Sequence, residues 1–139
     1  MKKWLIISTI IILILICFAF LFSSSKWNGI SKDGKWEATL IKNKHIESSL
    51  QYYGYLIWKG SNQEAKKLTI LQIKYKVNGK VITVLKENEI KSKDNTGKIG
   101  FVEFTGKPNK NDKVEVVINW KEGKVIHKET IYLKKKFLF

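Results

Sequence analysis

The sequence predicts an all-β chain, a single antiparallel β-sandwich of about seven strands preceded by an N-terminal transmembrane helix. Three observations predict it. Residues 4–22 form a charge-free run behind the basic leader Met1-Lys2-Lys3. The remainder breaks into short apolar runs with little helical periodicity, and turn residues separate those runs at strand-like intervals. The chain therefore divides into a leader (1–3), a transmembrane anchor or signal segment (4–22), a spacer and entry loop (23–34) and a β-sandwich domain (35–139).

Taken in order, Trp4 to Phe22 would span about 28 Å as a helix at ~1.5 Å per residue, close to the ~30 Å apolar core of a bilayer. A cleaved signal has a shorter apolar stretch of ~7–15 residues, so an uncleaved single-pass anchor is the favoured expectation. The alternative is secretion after cleavage, with Ser23 and Ser25 as the small residues before the cut. A basic amino end followed at once by an apolar run has the form of a signal-anchor. The domain is accordingly expected outside the cytoplasm at the cell membrane. Cys17 raises lipid attachment, but Ile16 stands where a lipoprotein signal needs a small residue. The cysteine reads more simply as one more apolar side chain in a membrane helix.

Beyond the polar Ser23-Ser24-Ser25-Lys26, strands are expected near 35–42, 50–58, 68–77, 80–85, 98–105, 113–120 and 124–133. The clearest alternation sets Leu71, Ile73, Tyr75 and Val77 against Gln72, Lys74 and Lys76, and Val114, Val116, Ile118 and Trp120 repeat it. One face is buried and the other wet. Trp36, Tyr75, Ile118 and Trp120 are placed in one core. Asn78-Gly79 is the preferred pair for a type I′ hairpin, and a second hairpin is expected at Glu122-Gly123. Lys91–Gly97 and Gly106–Lys113 read as loops, and Ser61 to Glu64 has helix-capping spacing for one turn at most.

Composition narrows the partners. All 26 basic residues are lysine, and leaving out Lys2 and Lys3 sets 24 lysines against 12 acidic residues, a net charge of +12. Such a field concentrates polyanions. Without arginine, the bidentate reading of bases is missing, so sequence-specific nucleic-acid binding is not expected. An AT-rich coding bias explains the lysines equally well. The only cysteine lies in the apolar run, so the domain has no internal disulfide and no cysteine-ligated metal.

No catalytic constellation emerges. His45 and His127 are far apart in sequence and belong to no ligand-like repeat, and Glu103, Glu115 and Glu129 read as solvated strand residues beside lysines. The expectation is a protein that is not an enzyme and takes neither cofactor nor metal. The unusual stretch is Gln51 to Trp58, where both alternating faces are apolar or aromatic. Tyr52, Leu56 and Trp58 enter the core, and Tyr53 and Tyr55 are left as a candidate binding face. Membrane contact is expected through residues 4–22. The domain's partner would be an anionic wall polymer, lipid head groups or a membrane protein; the rival expectation is an accessory subunit acting through its anchor helix. Lys134-Lys135-Lys136-Phe137-Leu138-Phe139 has the composition of a membrane-surface segment, but an odd strand count would put it at the pole opposite the anchor.

Trp27-Asn28-Gly29-Ile30-Ser31 with Trp36, then Trp58-Lys59-Gly60, Ile73 to Gly79 and Asp112 to Trp120, resemble the small immunoglobulin-like envelope proteins of Gram-positive bacteria. The likeness runs over nearly all of residues 27–133. It implies an immunoglobulin-like sandwich at the cell envelope and carries over no functional residue. Those proteins are mostly lipoproteins or anchored proteins, and the chain departs from the lipoprotein form at Ile16.

Overall fold

The computed structural model describes residues 1–22, 25–42, 51–91 and 97–137. Ser23, Ser24, His45, Leu50, the middle of the Lys91–Gly97 loop, Leu138 and Phe139 lie outside the described residues. Helix α1 (Lys2–Phe22) is an apolar run with no proline or glycine to break it, and its two hydroxyls turn back on their own backbone. Ser8 Oγ and Thr9 Oγ1 donate to the Leu5 carbonyl at 3.0 and 2.8 Å, which withdraws them from an apolar surrounding. None of Lys2–Ala19 is buried, and the helix is long and apolar enough to cross a membrane. It fits a membrane anchor or a signal sequence equally.

The strands are β1 (Ser25–Ile30), β2 (Trp36–Lys42), β3 (Tyr52–Trp58), β4 (Leu68–Val77), β5 (Lys80–Lys86), β6 (Lys98–Thr105), β7 (Val114–Glu122) and β8 (Val125–Phe137), with a four-residue helix α2 (Asn62–Ala65). Ser61 Oγ caps α2 by accepting from Glu64 N at 3.1 Å. Seven of these strands match the expected positions. The eighth, β1, lies in the stretch read as spacer and entry loop. It is hard to foresee because Asn28 and Gly29 are poor strand formers. Gly29 is there for closeness: a Cβ on it would lie 2.2 Å from the Tyr132 carbonyl oxygen.

Asn78 and Gly79 both have positive φ, 51° and 79°, as a type I′ turn requires. The second hairpin turns at Gly123-Lys124, one residue later than expected, because Glu122 still pairs with Val125. In β4 the register slips between Ile70 and Gln72. The expected phase holds from Ile73 onward, while Ile70, not Leu71, packs against the core.

The class is all-β and antiparallel with a leading apolar helix. Instead of two separate sheets, the strands form one barrel-like sheet in the order β5-β4-β7-β8-β1-β2-β3-β6. The long strand β8 makes this possible. Val125–Leu133 pair with β7, and Lys134–Phe137 pair with β1 on the other edge, so one strand carries the sheet from one wall to the next. Inside lie Trp36, Tyr75, Ile118 and Trp120, each at most 1% exposed. Trp36 meets Trp58 and Trp120 edge-on at 4.9 and 5.8 Å, a geometry aromatic rings favour.

Eight strands also reverse one expectation. With β1 added the count among the described residues is even, and Ser25 pairs with Phe137, Lys26 with Lys136 and Trp27 with Lys135. The Lys134–Lys136 run stands beside the start of β1, three residues from the end of α1, and not at the opposite pole.

Candidate functional site

Strand β3 alternates by burial: Tyr52, Gly54, Leu56 and Trp58 are buried, and Tyr53, Tyr55 and Ile57 are half-buried on the outer face. The two expected site residues are thereby brought together. Tyr53 and Tyr55 stack with ring centroids 5.8 Å apart and planes 30° apart. Lys98 of the neighbouring β6 places its Nζ 4.4 Å from the Tyr55 centroid, a cation–π distance. Gly100 sits opposite Tyr55, and a Cβ on it would meet nothing within 4 Å. The flank of the Tyr55 ring is left open.

One rung of the sheet runs across this face through Lys134, Asn28, Thr39, Tyr55 and Gly100. Its middle is a polar network. Asn28 Nδ2 donates to Glu37 Oε1 at 2.7 Å and to Thr39 Oγ1 at 3.1 Å, and Asn28 Oδ1 accepts from Lys136 Nζ at 3.2 Å. Lys59 Nζ lies 2.9 Å from Glu37 Oε2. The Lys59 hydrogen bond, outweighing burial and helped by Asn28, holds the Glu37 carboxyl below its ordinary 4.5. The network fixes a charged, hydrogen-bonded floor beside an aromatic shelf, an arrangement that suits an extended ligand with anionic groups and flat or ring-shaped apolar faces.

The sequence-singled carboxylates stay apart from this face. Glu103 is exposed and pairs with Lys91 at 2.9 Å. Glu115 differs from the solvated residue expected: it is buried at 6% exposure and pairs with Lys113 at 3.2 Å, because β7 is an inner strand whose outer face is covered by its neighbours. His127 is half-buried and stacks on Trp120 at 5.1 Å. Among the described residues no three His, Cys, Asp or Glu side chains gather as metal ligands would.

Lys98, Gly100, Asn28 and Lys136 join the face only through sheet register, so nothing in the linear sequence connects them with Tyr53 and Tyr55. The edge strands β5 and β6 leave a groove of about 330 Å³ lined by residues that include Leu85, Glu89, Phe101 and Phe104. Residues 23–139 match a family described as a domain of unknown function, DUF4944. No curated protein and no solved structure matches the chain.

Proposed function

This chain belongs to the DUF4944 family, and we propose that it is a non-enzymatic binding module, anchored by α1 in the cell membrane of a Gram-positive envelope, with its domain outside the cytoplasm. The ligand class is an anionic envelope polymer. The observation that carries this reading is the outer face of β3, where Tyr53 and Tyr55 stack under Lys98 and beside the opening at Gly100. Aromatic faces next to lysines hold a polyanion by contact as well as by field. Action through the helix alone, as an accessory subunit would require, has less support, since Ser8 and Thr9 spend their hydroxyls on the helix itself.

The test uses the full chain in phosphatidylcholine nanodiscs with inorganic polyphosphate as probe and dextran as neutral control. Polyphosphate should bind at 0.01 M salt and persist in part at 0.15 M, where the Debye length has fallen from ~30 Å to ~8 Å. Tyr53→Ala with Tyr55→Ala should weaken the binding that remains at 0.15 M by about tenfold, the scale of one aromatic stacking contact. No binding at low salt would remove the reading. Equal binding by the double variant would remove the aromatic face from it.

A further inference from the structure

We propose that the end of the barrel formed by Lys134–Lys136 of β8 and Lys26 of β1 docks on the anionic head groups of the leaflet from which α1 emerges, so that the domain stands on the membrane in one orientation. The inference rests on the reading of α1 as an anchor and adds a second membrane contact to it.

Position is the first argument. From Phe22 to Ser25 is three residues, which reach at most about 11 Å. Ser25 and Phe137 are cross-strand partners, and neighbouring strands lie ~4.8 Å apart. Whatever angle α1 takes, the lysines paired with β1 are therefore held near head-group depth by the chain itself.

Charge is the second. Among the described residues neither Lys26 nor Lys134 is in an ion pair, whereas Lys35, Lys59, Lys91 and Lys113 each are. Two carboxylates at this end of the barrel are held by local hydrogen bonds or an ion pair. Asp112 accepts from Asn78 Nδ2 at 2.9 Å and from Asn109 N at 2.7 Å, and Glu115 is buried with Lys113. Four lysines on two paired strands, set against Asp112 and against Glu37, whose charge reaches Lys26, leave this end net basic next to an anchor, the arrangement that attracts anionic lipid. The sequence runs on from the lysines through Phe137-Leu138-Phe139, and aromatic and apolar residues beside basic ones favour the interfacial layer.

The experiment is lysine acetylation of the full chain in nanodiscs, read residue by residue by mass spectrometry, in phosphatidylcholine alone and with phosphatidylglycerol added. In the anionic discs Lys26, Lys134 and Lys136 should react severalfold more slowly than in neutral ones. Lys32 and Lys124, at the far end, should react equally in both. Lys134→Glu with Lys136→Glu should abolish the lipid-dependent protection of Lys26 while leaving Lys32 and Lys124 unchanged, with a parent-like circular dichroism melt showing that the variant is folded. Equal rates in the two lipids, equal slowing at both ends, or persistent protection of Lys26 in the variant would overturn the proposal. A chain that does not co-elute with the discs would remove the anchor and this inference together. Tyr53→Ala with Tyr55→Ala should not alter the protection, so polymer binding and lipid docking fail separately.

Discussion

At the end of the barrel far from α1, Lys35 and Lys59 are answered by Glu122 at 3.7 Å and Glu37 at 2.9 Å, above a packed cluster of Trp36, Trp58 and Trp120. At the end where β1 begins, Lys26 and Lys134 have no ion pair among the described residues, Lys135 lies 5.8 Å from the Trp27 ring centroid, and Lys136 donates to Asn28. One residue type thus serves two purposes. Lys35 and Lys59 close a local charge balance, whereas Lys134, in no ion pair among the described residues, leaves its charge available to something outside the chain. Net charge averages over that distinction, and only position restores it.

Substitution at the far end should cost the most stability. Trp120→Ala removes a ring that is 1% exposed and in contact with Trp36, and losses of this kind cost ~3–5 kcal/mol. The melting temperature followed by circular dichroism should fall by about 10 °C or more. An unchanged melt would mean that the aromatic cluster does not hold this end.

Gly29→Ala tests the junction at the near end. Its Cβ would lie 2.2 Å from the Tyr132 carbonyl oxygen, so backbone must move, at a cost of ~1–3 kcal/mol. Gly100→Ala, by contrast, enters open space and should stay within ~0.5 kcal/mol of the parent, yet weaken polyphosphate binding by narrowing the approach to Tyr55. Urea denaturation of both variants checks the pair. Equal destabilisation would contradict the close approach of β1 to β8.

A smaller effect separates the lysines themselves. The Glu37 carboxyl is held below 4.5, first by Lys59. Its contribution to stability is therefore full above that ordinary value and is lost as pH falls through the lowered one. Lys59→Met should raise the Glu37 pKa toward 4.5, seen by NMR titration, and reduce stability at neutral pH by up to ~1 kcal/mol. Lys134→Met should change neither.

Much of the barrel could be read from alternation. Asn78-Gly79 named its own turn, and β3 announced both its buried phase and its outward tyrosines because two apolar faces on one strand are unusual. Strand β1 stayed hidden because Asn28 and Gly29 belong there for a hydrogen-bond network and a close backbone approach, neither of which leaves a hydropathy signal. Missing that one strand changed the parity of the count, and with it the end at which Lys134–Lys136 lie. The slip at Leu71 and the continuity of the sheet through β8 are likewise matters of pairing between distant segments. The same holds for Lys98 and Gly100 beside Tyr55.

The lysine-rich end beside the anchor stands or falls with one distance. With Cys17→Ser as background, nitroxides placed on the full chain by Lys26→Cys and Lys136→Cys sit on adjacent strands and should be separated by less than roughly 20 Å in nanodiscs. A separation of roughly 35–40 Å, the length of a 13-residue strand such as β8 at ~3.3 Å per residue, would put the two lysines at opposite poles and contradict the arrangement.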